Sequence, residues 1–242
     1  MKKFELTAEF VTNVFGKKLF RIKALVAFGD VEKGELGGFI EKEDNLSHDD
    51  NAWVYGNAQV YGNAQVSGNA QVSGDAQVSG DAHVYGNAQV YGNAWVSGDA
   101  QVSGNAQVYG NAWVYGNAWV YGNAQVYGNA QVSGDAQVSG DAQVSGDAQV
   151  SGDAQVYGNA DYAAVAGFGR YSRTTTFFRC KDKILRVQCG CFYGDLAQFR
   201  EIVKKTHGDS KYAKEYLAIA DLMELHFSDE CGGEQMNDGK IH

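Results

Sequence analysis

Four cysteines lie in the last third of a 242-residue chain: Cys180, Cys189, Cys191 and Cys231. With His207 they offer the sulfur and imidazole ligands that suit zinc. The spacing works against a zinc site, because Cys189-Gly190-Cys191 is a CxC unit and not the CxxC of zinc knuckles. On one continuous strand Cys189 and Cys191 would share a face, where free thiols are ordinary core residues. Cys180, Cys189, Cys191 and His207 stand as weak metal candidates, and no metal or other cofactor is expected. A disulfide is disfavoured in a cytosolic chain.

His83 is the one histidine between residues 51 and 158. A general base needs a partner and a pocket. Neither is visible in the sequence, so no catalytic residue is assigned and His83 reads as a surface variant of glutamine. Recognition by aromatic side chains is the stronger candidate. Tyr85, Tyr91, Trp95, Tyr109, Trp113, Tyr115, Trp119, Tyr121 and Tyr127 crowd into some forty residues. Tyr and Trp are the usual anchors of interfaces. The competing reading is that the rings stack on a sheet face, which favours aromatics in any case.

The residues that hold these groups follow a strict rule. From Asn51 to Gly158 the chain is 18 consecutive hexads of the form (N/D)A(Q/W/H)V(Y/S)G, without insertion. A fixed short period is the mark of a stacked repeat. Ala and Val are two apart and share the inner face of an extended segment, while the third and fifth slots face out. Trp53 belongs to the outward set as well. Gly followed by Asn or Asp accepts a corner. Three strands and three corners close one triangular coil of 18 residues. Six such coils make a prism roughly 29 Å long at about 4.8 Å per strand. The frame continues in Asn159-Ala160-Asp161-Tyr162, with Tyr162 in the valine slot and Ala166 and Phe168 fitting the next hexad, so a seventh coil is expected.

The flanks differ. Residues 1–50 read as a β-rich cap, with FELTAEF and LFRIKALVAF as short strands. Ile40 and Leu46 are six apart but two residues out of phase with Val54. Residues 51–170 read as the prism and residues 171–242 as an α+β module. In that module TTTFFRC and ILRVQCGCF form a hairpin across Lys181-Asp182-Lys183. Asp195 and Gln198 form a capping box for a helix that Gly208 stops. Ser210 caps a second helix striped by Tyr212, Tyr216, Leu217, Ala220 and Met223, and the tail from Ser228 is loose. The prism must be capped, because its end coils expose unpaired edges.

The net charge of −9 disfavours nucleic acid and membrane surfaces as partners. The array carries seven Asp and neither Lys nor Arg. Duplex DNA would carry roughly 17 charges over the same length, so phosphate mimicry is weak. Asp and Asn read as interchangeable turn residues. No run of apolar residues is long enough to span a membrane, and the first residues lack the apolar stretch of a signal peptide. A cytoplasmic protein is expected.

The period resembles the hexapeptide repeat of left-handed parallel β-helices. The stretches GELGGFIEKEDNLS (34–47), RVQCGCFYG (186–194) and THG (206–208), together with the array, are similar to a set of hexapeptide-repeat proteins of bacteriophages, prophages and their hosts. The resemblance implies a left-handed prism and brings no functional residues with it. It places the protein as a non-catalytic binder of phage type that engages or blocks a host macromolecule, such as a defence-system component. Two further readings stay open: an acyltransferase-like enzyme and a structural, self-assembling spacer. Many hexapeptide-repeat acyltransferases are trimers with a histidine at a subunit cleft and a loop thrown out of the coils. This array has no such loop. The expected partner is a protein or another copy of the chain, as a dimer or trimer.

Overall fold

The computed structural model describes residues 2–228. The tail expected to be loose, Cys231 included, lies outside the described residues. Each hexad forms one two-residue strand from its third and fourth slots, from Trp53–Val54 to Gln155–Val156. Strands 18 residues apart pair in parallel, as Gln89–Val90 does with Gln107–Val108. The result is a prism with three parallel faces. The first carries the strand of Trp53, the second that of Gln59 and the third that of Gln65. Amides reach forward by 17 residues: Tyr109 N donates to the Val126 carbonyl at 2.9 Å.

All the slot-two alanines and slot-four valines have 0 % exposure. An inner row of one small and one medium side chain per strand packs into one continuous core along the prism. The corners need glycine. Gly104 has φ +68°, and a β-carbon there would stand 2.9 Å from the Gly122 nitrogen in the next coil.

The N-terminal cap extends the second face. Strands β1 (Phe4–Thr12) and β2 (Lys18–Ala24) form an antiparallel hairpin. Strand β3 (Leu36–Ile40) pairs antiparallel with β2 and parallel with Gln59–Val60. Leu46 bridges to Val66. Ile40 and Leu46 are thus inner residues of an incomplete coil that precedes the hexads. Their phase offset is absorbed between Leu46 and Val54, where Asp50 takes φ 56°. Two glycines of the GELGGF stretch are explained by contact alone. A β-carbon at Gly37 would lie 2.6 Å from the Val54 carbonyl oxygen, and one at Gly38 the same distance from that of Ala58.

The two ends of the prism are chemically opposite. Its first coil presents carbonyls, and the cap supplies donors. Lys3 Nζ donates to Ala52 O at 2.9 Å, and Asn45 Nδ2 to Ala64 O at 2.9 Å. The last coil presents N–H groups, and the C-terminal side supplies acceptors. Gln143 N donates to Asn159 Oδ1 at 2.8 Å, Gln149 N to Thr176 Oγ1 at 3.0 Å and Tyr157 N to Asp161 Oδ2 at 2.9 Å. Buried backbone groups need such partners.

The prism stops short of the expected residue 170. Asn159–Asp161 is a single 3-10 turn, and Tyr162–Phe168 is an antiparallel strand of a separate four-stranded sheet. Alternating apolar residues suit either kind of strand, so the frame alone misled beyond Gly158. The seventh turn lies at the other end, as the incomplete coil of Ile40 and Leu46. The rest of the sheet is Arg173–Arg179, Leu185–Cys189 and Phe192–Asp195. The hairpin across Lys181-Asp182-Lys183 is present. Helices α1 (Leu196–His207) and α2 (Lys211–His226) cover the sheet. Asp195 and Gln198 make the capping box, Gly208 ends α1 and Ser210 caps α2. Tyr212 departs from the expected stripe and is exposed; Ala213 and Ile219 are buried instead. No helix among the described residues is long and apolar enough to cross a membrane.

Candidate binding surface

The nine aromatic residues divide three to a face. Tyr91, Tyr109 and Tyr127 lie on the first face, Trp95, Trp113 and Tyr115 on the second, and Tyr85, Trp119 and Tyr121 on the third. A three-sided prism cannot present all of them to one flat partner.

The first face uses its rings internally. Tyr91 stacks on Tyr109 at 4.8 Å and 1°, and Tyr109 on Tyr127 at 5.0 Å and 4°. Tyr109 Oη donates to Gln125 Oε1 at 3.3 Å, and Tyr91 does the same to Gln107 at 3.4 Å. Burial pushes the Tyr91 and Tyr109 phenols up. Tyr85 is half-buried and donates to Gln101 in the same way. Trp53 is no surface residue at all: it is wholly buried against Phe4 and Phe28 of the cap. On the third face, Trp119 and Tyr121 meet at 5.6 Å, with Trp119 exposed.

The second face is different. Trp95 and Trp113 meet edge to face at 5.1 Å, and Trp113 is 44 % exposed. Tyr115 is exposed beside it. The tip of the β1–β2 hairpin bends over this face. Phe15, 65 % exposed, comes within 6.3 Å of the Tyr61 ring. Phe15, Tyr61, Trp95, Trp113 and Tyr115 line a groove of about 590 Å³ with Lys17 at its rim. The Trp95 indole N–H is buried and has no acceptor among the described residues. Phe15 was missed in the sequence, whereas Tyr61 holds the outward fifth slot of its hexad. The signal was there: Val14-Phe15 is an apolar pair in the middle of a turn, between Asn13 and Gly16.

The corners show that Asp and Asn are not interchangeable. Asn51, Asn69, Asn87, Asn105 and Asn123 each donate Nδ2 to the Oδ1 of the next residue in the row, at 3.0–3.1 Å, and the row ends on Asp141. Asn93, Asn111 and Asn129 form a second row ending on Asp147. A carboxylate accepts and cannot donate. An Asn passes the row on, and an Asp terminates it.

The metal candidates are divided. Cys189, Cys191 and His207 line one cavity in the C-terminal module. Cys180 is apart, buried at the end of the prism with its Sγ 3.9 Å from the Tyr193 hydroxyl. Burial pushes the Cys180 thiol up to about 12, helped by its hydrogen bond with Asp153. Nor do Cys189 and Cys191 share a strand. Cys189 pairs with Phe192, so Gly190-Cys191 is a two-residue hairpin turn and Cys191 is exposed. Among the described residues no group of three or more His, Cys, Asp or Glu is arranged to hold a metal ion. His83 is exposed on the third face, flanked by Gln65 and Gln101 in the register.

The YdcK beta solenoid repeat matches residues 58–74, 64–80, 88–104, 100–114, 106–122, 124–140, 136–152 and 142–158. The chain is a β-solenoid repeat protein. All the matched stretches fall within the hexads and together cover less than half of the chain. The likeness is therefore to the solenoid and not to either cap. No curated protein matches the chain.

Proposed function

We propose that the protein is a non-catalytic, phage-type binding protein. Its solenoid is a rigid platform, and its second face engages or blocks a host macromolecule, a defence-system component in the fullest form of the reading. The observation that supports this is the groove between Phe15 and Trp95, Trp113 and Tyr115. It places exposed aromatic area on a surface otherwise made of Gln and Ser. Large aromatic anchors in a concave, apolar setting are what interface hot spots are made of.

The test is affinity capture from host lysate with the wild-type chain and a Trp113→Ser/Tyr115→Ser variant, read by mass spectrometry. A host protein held in stoichiometric amount by the wild type and lost from the variant supports the reading. Native mass of the purified chain decides whether the groove is instead filled by a second copy. A homo-oligomer that the same double substitution dissolves would replace the host partner with self-association. The enzyme reading gains nothing from the site, since both register neighbours of His83 are glutamines.

A further inference from the structure

The C-terminal module contains a second cavity, unconnected with the aromatic groove. Its volume is about 210 Å³, and it lies between the strand ends and the two helices. Its floor is apolar, with Phe199 and Val203 of α1. Its rim is cationic. Arg170 and Arg173 both line it, with His207. Three other arginines meet carboxylates: Arg21 with Glu9, Arg186 with Asp182, and Arg200 with Asp221 and Glu224. Among the described residues Arg170 and Arg173 have no such partner. They lie over the Tyr171 ring instead, at 5.5 and 5.1 Å. Glu215, which neighbours Tyr216 in α2, is already engaged by the Gly169 N–H at 2.9 Å and by Lys211 at 3.4 Å.

Two glycines make room for this wall. A β-carbon on Gly190 would come 2.5 Å from Arg173 Nη1, and one on Gly169 would collide with the Tyr216 hydroxyl. Both take positive φ, +59° and +74°. On a chain of net charge −9, two guanidiniums with no carboxylate partner among the described residues, above an apolar floor, form a local site of opposite sign. Planar guanidiniums favour bidentate oxyanions.

We propose that this cavity binds a small anion with a compact apolar body. The oxyanion is held between Arg170 and Arg173, and the body rests against Phe199. This role is independent of the aromatic groove.

Cys191 reports on occupancy, because its exposed thiol lines the same cavity. Alkylation of Cys191 by iodoacetamide is followed by peptide mass spectrometry, with phenyl phosphate, benzoate, inorganic phosphate and neutral benzyl alcohol as probes. Phenyl phosphate or benzoate should slow the reaction at least threefold in a saturable way, and benzyl alcohol should not. Arg170→Gln/Arg173→Gln should abolish the protection. Arg200→Gln, which removes the same charge from a paired arginine, should retain it. Circular dichroism confirms folding of each variant, and Arg173→Lys, which keeps the charge, serves if the double variant unfolds and should weaken protection by a few-fold. The proposal is overturned if neither aromatic anion protects Cys191, if benzyl alcohol protects equally, or if protection survives in the folded double variant. Protection by inorganic phosphate equal to that by phenyl phosphate would also refute it, since the apolar floor would then have no part.

Discussion

Phe177 and Phe178 are consecutive residues buried in two different cores. Phe178 closes the end of the solenoid with Cys180, while Phe177 packs among Val187, Phe199 and Tyr216 beneath the helices. The alternation of one strand joins the two bodies. Truncating either ring should cost about 3–5 kcal/mol, with different signatures. Phe177→Ala should melt the helices while the hexads keep their amide protection. Phe178→Ala should fray the last coil. Hydrogen exchange at Val150 and Val156 distinguishes them, and equal loss at both sites in both variants would contradict the division.

The asparagine rows make a directional prediction. Asn105 accepts from Asn87 and donates to Asn123. Asn105→Asp removes the donor and sets two acceptors against each other, at a cost of about 1 kcal/mol. Asp141→Asn alters a residue that only accepts and should change stability by a few tenths at most. Denaturant midpoints measure both, and a neutral Asn105→Asp would undo the directional account.

The aromatic faces should separate binding from stability. Tyr109→Ala deletes a ring stacked on both sides and a hydrogen bond, and should destabilise by about 1–2 kcal/mol without weakening partner capture. Trp113→Ser should leave the melting temperature nearly unchanged and weaken capture at least tenfold. The reverse pattern would move the contact to the first face.

Alkali should act on the two ends with opposite sign. Burial pushes the Cys180 thiol and the neighbouring Tyr193 phenol up to about 12. The unfolded chain loses these protons first, at about pH 9–10. The stability they support is intact below that range and is lost as pH rises towards 12. Lys3 is displaced the other way: burial lowers its ammonium to about 8 against the partial opposition of Asp50 and Asp49. Between pH 8 and about 10.4 the unfolded chain holds that proton more firmly, so stability at the N-terminal end rises with pH. Cys180→Ala should flatten the alkaline loss, and Lys3→Met should flatten the rise. Stability against pH, with local amide exchange at each end, reads both.

The solenoid was legible in the sequence because its inner residues never vary. Ala, Val and Gly at fixed spacing leave one architecture that buries the apolar rows and turns every six residues. The six-residue spacing of Ile40 and Leu46 was legible too, but their place as inner residues of a coil emerges only with the corner at Asp50. What escaped was contact between distant segments. Nothing local to Val14-Phe15 says that this turn folds onto Trp95, 80 positions along. Cys189-Gly190-Cys191 was read as strand because it alternates, yet the glycine's positive φ bends it into a turn. Tyr162–Phe168 kept the hexad phase by coincidence and pairs antiparallel instead.

The hexad count sets both a distance and an azimuth. The aromatic groove is anchored near the start of the stack and the arginine cavity beyond its end. Each added or deleted hexad would turn one against the other by a third of a revolution. Only multiples of three restore the angle, and they shift the separation in steps of about 4.8 Å. The plain stretch 129–153, uniform in its outward Gln and Ser, is where such steps could be inserted without altering either surface. The protein is in this sense a vernier, whose repeat number fixes how two sites are presented to whatever binds them.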